Sequence, residues 1–389
     1  MNQIQKNISC RRKRIHFYLA VGVFILCFIQ GLRMAEDQSV WGDERYSAVY
    51  LQRLNYGEIF VGGMKEGNKA PLFYILQKAY LNLTKTTLPD ELANNEALFN
   101  PFRIDLRVVP IFAISLSVAL LFFFFAFRYT WWAGCLAIVL ALTSHMIHVH
   151  WIESRPYAIW LFLSTAQSLV FLQLRETKAK NLWWVVLVII HILLSFTTSI
   201  SILQIVLLTL YLVVLEKRAW HDYLLMSVVP LIICFYYYKI APEYQFWFWH
   251  SPVELFSACF PKERVVILIL FGIFLLLDYL RKRTDGRLSL TNIRQLDRLP
   301  SSAIYADFSV GLIVMAWILM GFFWIKAAPE GQGFSISNRY WIFLTPASII
   351  ASTLAFCHIS FSDNKLRWMF LALMLLLVFL RVLHTPHIF

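Results

Sequence analysis

Long apolar segments recur along nearly the whole chain and are separated by short polar connections. A helix that crosses a membrane needs about 20 mostly apolar residues, because each residue advances it by about 1.5 Å. The segments with this pattern are 16–33, 106–127, 131–150, 157–174, 182–199, 201–215, 223–240, 264–280, 308–326, 340–357 and 368–383. The connection between 182–199 and 201–215 is so short that this pair predicts either two spans or a re-entrant hairpin. The pattern predicts an all-α integral membrane protein with about 11 transmembrane helices.

The first two predicted spans are joined by a long polar loop that contains helical patterns of its own. The residues at helical spacing are Tyr46, Val49, Tyr50 and Leu54 in one part, and Leu72, Ile75, Leu76, Ala79 and Tyr80 in another. Such helices are too polar to span a membrane and would lie in its interface with the apolar face toward lipid. The predicted organisation is a basic N-terminus and first transmembrane helix at 1–33, an outer loop with interfacial helices at 34–105, and the remaining bundle with short loops at 106–389.

Composition and charge strengthen this interpretation. The chain is 59% hydrophobic and 15% charged, whereas soluble domains are about 45–50% apolar and about 25% charged. These values exclude a soluble enzyme, a disordered tail and a nucleic-acid binder. If the N-terminus is cytoplasmic, 19 of the 35 Lys and Arg residues fall in inside loops, as the positive-inside rule expects. We therefore expect a multi-pass protein of the plasma (inner) membrane with a cytoplasmic N-terminus.

The first candidate for chemistry is the acidic pair Asp43-Glu44, which follows the first predicted span on the outer side. A carboxylate there can act as a general base toward a substrate hydroxyl, which contributes about 10²–10⁴ in rate. The alternative is a solvated acidic start to the interfacial helix, since acids are favourable near a helix N-terminus. The residue types alone leave both interpretations open.

A second candidate is the segment Asn68-Lys69-Ala70-Pro71, in which Pro71 opens a predicted helix. The amides of a helix N-terminus together with a lysine suit a phosphate group. The alternative is an ordinary helix start beside a lysine whose charged end reaches the interface.

Two arginines at outer ends of predicted spans form the third candidate. Glu153-Ser154-Arg155-Pro156-Tyr157 joins the third and fourth spans, and Arg339-Tyr340 stands where the tenth span begins. An arginine near the hydrocarbon needs a partner or a ligand, and its planar guanidinium binds phosphate oxygens bidentately. The alternatives are a local pair of Glu153 with Arg155 that closes a tight hairpin, and an interface anchor at Arg339.

A histidine cluster precedes this junction. His145, His148 and His150 lie close to Glu153, which raises the possibility of a metal site. A metal site also needs convergent ligands and a second shell of hydrogen bonds, which spacing does not reveal. Interfacial histidines that face a polar cavity explain the same pattern, so we assign no metal ligands.

The order of these motifs resembles that of the GT-C class of membrane glycosyltransferases. The branch it resembles holds the protein O-mannosyltransferases and the aminoarabinose transferase that modifies lipid A. The resemblance rests on Asp43-Glu44, Lys69-Ala70-Pro71-Leu72-Phe73-Tyr74, Glu153-Ser154-Arg155-Pro156-Tyr157-Ala158 and Arg339-Tyr340. It covers most of the chain and is strongest over 36–175. Two departures bear on the acceptor. Asn68 and Ala70 replace the His and first Pro of the usual His-x-Pro-Pro motif, and we expect no counterpart of the sizeable C-terminal outer domain that several members have.

The resemblance implies an inverting glycosyltransferase of GT-C-like fold. Its donor is a sugar on a polyprenyl-phosphate carrier, its acceptor a lipid, glycan or protein, and its active site lies on the outer (periplasmic) face. Asp43 is implied as the general base, with Glu44 alongside as a catalytic residue. The implied donor-phosphate residues are Lys69, Arg155, Tyr157, Arg339 and Tyr340, and the supporting residues are Glu153, Asn68 and His150. Beyond the lipid-linked donor no cofactor is assigned, although a divalent metal is compatible with the reaction.

Other functions remain open at the level of sequence. A transporter or lipid flippase usually keeps ionisable residues near the membrane midplane, whereas His191 is the clearest such residue here. A non-catalytic membrane assembly subunit would retain the same residues. An outer-face ligase that moves a whole oligosaccharide from its carrier is a further alternative within the same chemistry.

Overall fold

The computed structural model of this 389-residue chain describes residues 3–65, 68–89, 96–177, 180–216, 218–241, 262–284, 305, 307–316, 318, 341–358 and 364–383. These residues form helices and connecting segments, with no β-strand among them. The expected all-α class is therefore confirmed for the described part of the chain. Arg339, Tyr340 and part of the predicted span 308–326 lie outside it.

We number the α-helices in chain order. They are α1 (Gln3–Asp37), α2 (Gly42–Arg53), α3 (Tyr56–Phe60), α4 (Leu72–Thr84), α5 (Glu96–Phe99), α6 (Arg103–Arg128), α7 (Trp131–Leu142), α8 (His145–Trp151), α9 (Tyr157–Glu176), α10 (Lys180–Ser195), α11 (Ile202–Leu215), α12 (Trp220–Ile240), α13 (Lys262–Thr284), α14 (Asp307–Ala316), α15 (Leu344–His358) and α16 (Asn364–Leu383). Short 3₁₀ turns at Asn100–Phe102 and Ser199–Ser201 lead into α6 and α11.

Several helices have the length and composition of membrane spans. Among the described residues, the ranges that qualify are Arg14–Asp37, Glu96–Arg128, Tyr157–Arg175 and Trp220–Ile240. A fifth span results if the bent pair α7–α8 is counted as one. Several other apolar helices among the described residues are shorter, so the membrane character is supported while the number of about 11 spans stays a prediction.

The predicted span 131–150 is not one straight helix. It breaks at Thr143-Ser144, and α7 and α8 meet there at an angle of 67°. The Thr143 hydroxyl donates to the Val139 carbonyl at 2.8 Å. Hydroxyl side chains that bond back to the preceding turn often bend helices, which accounts for a break inside an apolar run.

Helix α6 lies in the centre of the fold and packs against α1, α7 and α9. Its contact with α1 is close because Gly31 faces it. A Cβ atom on Gly31 would lie 2.6 Å from Ile111 Cγ2 and 2.8 Å from Trp151 Nε1. The small residue therefore allows the backbone of α1 to approach both α6 and the end of α8.

The segment 38–102 folds over one end of the bundle, which we call the loop end. The Asn68 amide donates to the Thr197 carbonyl at 2.8 Å, so the turn between α10 and α11 lies at the loop end. At the far end of the same two helices, Lys180 donates to Glu216 at 2.7 Å. Helices α10 and α11 thus form an antiparallel pair, and because both are shorter than the helices that qualify as spans, two spans and a re-entrant hairpin both stay open.

The structure confirms helices in both predicted parts of the 34–105 loop. Helix α2 turns Glu44, Ser47 and Leu51 inward, while Tyr46 is exposed. Helix α4 buries Phe73, Tyr74, Gln77 and Leu81, whereas Leu76 and Ala79 are exposed. On the predicted apolar faces, Val49 is buried by protein. The other residues on these faces are partly or fully exposed, which is the arrangement that contact with lipid would require.

Candidate functional site

A buried ion pair anchors the site at the loop end. Glu44 lies in the first turn of α2 and Arg107 in the second turn of α6, and their side chains are 1% and 3% exposed. Arg107 donates to Glu44 through Nε at 3.1 Å and Nη2 at 2.7 Å. The planar guanidinium thus binds the carboxylate bidentately, the strongest geometry for such a pair.

Both members of this pair have further partners that join separate elements. Arg107 also donates to the carbonyls of Ala35, Gln38 and Ser39 at 3.2, 2.7 and 2.7 Å, which places its charge at the C-terminal end of α1. Glu44 accepts from the backbone N–H of Ser154 at 2.7 Å. A single buried pair therefore holds α1, α2, α6 and the α8–α9 junction together, and its carboxylate is fully engaged.

Asp43 has a different environment although it is the preceding residue. Its side chain is 45% exposed and its Oδ2 lies 3.8 Å from Nη2 of Arg155, whose side chain is 10% exposed. This distance is too long for a hydrogen bond. Arg155 Nη1 instead donates to the Ser47 hydroxyl at 3.1 Å. The site therefore offers a carboxylate at the surface beside a mostly buried guanidinium.

The junction between α8 and α9 supplies the other residues of the third candidate. Glu153 accepts from His150 Nδ1, and both side chains are buried. The His150 ring packs on the ring of Tyr157 with centroids 4.9 Å apart, and Tyr157 is itself buried. Glu153 thus pairs with His150, while Nη1 of the Arg155 guanidinium reaches Ser47 on α2.

A cavity of about 310 Å³ opens beside the Glu44–Arg107 pair. The residues that line it are Asp37, Gln38, Ser39, Trp41, Glu44, Arg107, Val149, Ile152 and Glu153. This volume is at the lower end of the range of small-molecule sites, which is about 300–1,000 Å³. Carboxylates, an amide, a hydroxyl and one aromatic ring suit a ligand with several hydroxyl groups.

Asn68 and Lys69 make their hydrogen bonds elsewhere at the loop end. Asn68 bonds to Thr197, as described, and Lys69 donates to the Met64 carbonyl. The first amide of α4, at Leu72, donates to the Phe196 carbonyl at 2.8 Å. One amide of the α4 N-terminus is therefore engaged by the turn between α10 and α11, and the phosphate site at this terminus stays a prediction.

The histidine cluster also makes contacts that do not require a metal. His148 Nε2 lies 2.6 Å from the Leu142 carbonyl oxygen, and His150 bonds to Glu153. Within the described ranges, no group of three or more His, Cys, Asp or Glu side chains could hold a metal ion.

Arg107 and Ser47 are the two residues that the sequence interpretation missed. Arg107 stands inside the predicted span 106–127, and a charged residue inside an apolar segment calls for a partner. That signal pointed to an ion pair, although it did not indicate Glu44. Ser47 carries no comparable signal, because a serine in a polar helix is ordinary.

Two comparisons with known proteins were negative. No protein-family model matches the chain, and no curated protein matches it at a significant level. The functional argument therefore begins from the geometry of the site, which is a half-exposed acid beside a mostly buried guanidinium. A cavity lined by both polar and apolar side chains lies next to them at the end of an apolar helix bundle.

Proposed function

We propose that this protein is a glycosyltransferase that moves a sugar from a polyprenyl-phosphate carrier to an acceptor hydroxyl. The observation that carries the proposal is the pairing of Asp43 with Arg155, which sets a proton acceptor 3.8 Å from a phosphate-binding group. Both lie where apolar helices end, and a lipid-linked phosphate would be found at the same depth. The motif resemblance to GT-C enzymes supports the same reaction.

The reaction assigns a distinct task to each group. Asp43 takes the proton of the acceptor hydroxyl while its oxygen forms a bond to the anomeric carbon. The bond between that carbon and the phosphate oxygen breaks on the opposite face, and its electron pair leaves on the polyprenyl phosphate. Arg155 binds the phosphate and stabilises the charge that develops on it. The configuration at the anomeric carbon inverts, and the transition state resembles an oxocarbenium ion.

Glu44 takes a positioning role in this mechanism and not a chemical one. Its oxygens are occupied by Arg107, Ser154 and the Trp41 backbone N–H, so it has no site left for an acceptor proton. It holds the first turn of α2, and thereby Asp43, against the junction that carries Arg155. The cavity beside it is the proposed place of the sugar, with Trp41 as the aromatic wall.

We place this site on the outer face of the plasma membrane, with the N-terminus in the cytoplasm. The charge distribution along the chain supports that orientation. Lys69, Arg339 and Tyr340 are kept as proposed donor-phosphate residues on the strength of the motifs alone. Asn68, His150, Glu153 and Tyr157 are proposed as supporting residues that position loops and the α8–α9 junction.

A transporter or flippase is disfavoured by the surroundings of His191. Its Nδ1 lies 3.0 Å from the Met226 carbonyl oxygen and its Nε2 lies 2.9 Å from the Gln167 amide nitrogen. A carbonyl can only accept, so Nδ1 carries the proton and Nε2 accepts from Gln167. Both ring nitrogens are thus used in holding three helices together, which suits a structural residue better than a proton carrier.

Comparison of surface glycans tests the proposal. In a strain that lacks the gene, mass spectrometry should detect the loss of a specific glycan or glycolipid, which wild-type protein restores. Asp43→Asn should fail to restore it although the protein is made and inserted. Glu96→Gln, a matched change of an exposed acid in the same segment, should restore it fully. Full restoration by Asp43→Asn would overturn the assignment of the base and with it the proposed mechanism.

A further inference from the structure

We propose that Asp37 and Gln38 determine which sugar the cavity beside Glu44 accepts, and that they select a sugar without an acidic group. This inference rests on the proposed function, which places the donor sugar in that cavity. The cavity volume of about 310 Å³ favours one sugar ring over an oligosaccharide, since small-molecule sites range from about 300 to 1,000 Å³.

Most polar groups that line the cavity are already bound within the protein. Glu44 and Arg107 hold each other, and Glu153 binds a histidine of α8. The Ser39 hydroxyl bonds to Glu96. Groups that are bound in this way shape the cavity, and they have less capacity left for a sugar hydroxyl than an unbound group has.

Asp37 and Gln38 also line the cavity, but their side chains make no hydrogen bond or ion pair with the described residues. Asp37 is the last residue of α1 and is exposed, whereas Gln38 is half-buried. The Gln38 carbonyl accepts from Arg107 at 2.7 Å, which holds this stretch of backbone beside the cavity. A carboxylate accepts hydrogen bonds and an amide both donates and accepts, so the two side chains can bind neighbouring hydroxyl groups of one sugar ring.

The charge of the cavity lining determines which sugars it tolerates. Three carboxylates, those of Asp37, Glu44 and Glu153, line the cavity against the single guanidinium of Arg107. A uronic acid would bring a further negative charge into these surroundings and would be repelled. A sugar without an acidic group meets no such repulsion, and its hydroxyl groups supply the protons that carboxylates accept.

Glu36 provides a matched neighbour for Asp37. Both acids lie in the last turn of α1 and are exposed, but Asp37 lines the cavity and Glu36 does not. A negative charge at the C-terminal end of a helix is unfavourable, so neither Glu36→Gln nor Asp37→Asn should lower the stability of the fold. An effect of general surface charge would be the same for both changes, whereas recognition of the sugar depends on Asp37 alone.

Two farnesyl-phosphate esters that differ only in the group outside the sugar ring test the charge selection. The probes are farnesyl-phosphoryl glucose and farnesyl-phosphoryl glucuronic acid, and microscale thermophoresis measures their binding to the purified full-length protein in detergent. The wild type should prefer the glucose ester by about tenfold or more. Asp37→Asn should reduce this preference by about threefold or more, because one repelling charge is gone, whereas Glu36→Gln should keep it.

Gln38→Leu tests the hydrogen-bonding part separately. It keeps a side chain of similar size without a polar group, and it should weaken binding of the glucose ester about fivefold, the usual effect of one lost hydrogen bond. Binding of farnesyl phosphate, which carries no sugar, should change by less than about twofold. An equal loss of both ligands would show that Gln38 supports the fold of the site and does not recognise the sugar.

The charge selection is overturned if the wild type does not prefer the glucose ester, or if Asp37→Asn and Glu36→Gln change the preference alike. The proposed function fails in a different way. If the wild type does not bind farnesyl phosphate, or if Arg155→Gln binds it equally well, the phosphate site itself is wrong. Binding of farnesyl phosphate that Arg155→Gln weakens, without discrimination between the two esters, contradicts only the choice of sugar.

Discussion

Asp43 and Glu44 are neighbours in the chain, yet α2 gives them opposite environments. Successive residues of an α-helix point about 100° apart around its axis, so one acid can face the bundle while the next faces the surface. Glu44 faces inward to Arg107 and is 1% exposed, whereas the Asp43 side chain is 45% exposed. At the scale of single residues, the acidic pair therefore divides into a buried structural acid, Glu44, and a half-exposed acid, Asp43, that the proposed mechanism uses as its base.

This division predicts different effects of two matched acid-to-amide changes on stability. Glu44→Gln leaves Arg107 buried without its counter-charge, which should lower the free energy of unfolding by about 3–5 kcal/mol. Asp43→Asn removes a half-exposed charge whose ion pair with Arg155 is long, at 3.8 Å, and should cost about 1 kcal/mol. Thermal unfolding of both variants in the same detergent checks the contrast, and equal losses would show that the two acids do not have separate roles.

At the scale of helices, local spacing in the sequence predicts where helices lie better than it predicts which residues pair between them. The helices around Asp43–Phe60 and after Pro71 are recognisable because apolar residues recur every three or four positions. The Glu44–Arg107 pair joins residues 63 positions apart, and periodicity carries no information at that range. The bend at Thr143-Ser144 was hidden because the hydropathy on both sides is uniform, although the two adjacent hydroxyl residues were a usable signal.

The candidate site shows the same limit: the sequence indicates which residues to consider, but not which of them are in contact. The motifs brought Asp43, Arg155, Glu153 and His150 into consideration, and the structure gathers these residues at the loop end. It separates the roles of Asp43 and Glu44, which the spacing of a dipeptide cannot do. A side chain such as Ser47 becomes meaningful only when a partner from another helix is seen beside it.

The close contact of α1 with α6 predicts a pair of glycine variants with opposite outcomes. A Cβ on Gly31 would lie 2.6 Å from Ile111 Cγ2, so Gly31→Ala must push the helices apart and should destabilise by about 1–3 kcal/mol. Gly22 lies in the same helix with nothing within 4 Å of its Cβ position. Gly22→Ala should be neutral or stabilising by up to about 1 kcal/mol. Thermal unfolding measures both, and a loss at Gly22 as large as that at Gly31 would contradict this packing.

At the scale of the whole molecule, the described helices are fastened at both ends by polar groups. At the loop end, segment 38–102 is tied through Arg107 on one side and through Thr197 and Tyr237 on the other, since the Tyr237 hydroxyl donates to the Phe60 carbonyl at 2.7 Å. At the opposite end, Glu216 accepts from Arg175 and from Lys180. In lipid, helix association depends on close packing and on hydrogen bonds between helices, so these polar contacts act together with the packing to align the helices.

The clamp at Glu216 makes stability depend on pH in a defined direction. Burial by itself raises the pKa of Glu216, but the hydrogen bonds and charges of Lys180 and Arg175 outweigh it and lower the pKa below its ordinary value of 4.5. A carboxyl group whose pKa is lower in the folded state stabilises the fold above its unfolded pKa. That contribution is lost as the pH falls from about 4.5 through the folded pKa, because protonation breaks both ion pairs.

Glu216→Gln isolates this contribution from the titration of other acids. At neutral pH the variant should unfold at a lower temperature than the wild type, because the glutamine amide cannot pair with two cations. As the pH is lowered from 6 toward 3, the wild-type midpoint should fall toward that of the variant, since its own clamp is then protonated. Asp222→Asn at the same end, which removes partly exposed contacts with Arg218 and His221 at 3.5 Å each, should follow the wild-type curve closely. If the wild-type and Glu216→Gln curves stay parallel down to pH 3, Glu216 does not clamp α9, α10 and α11 by its charge.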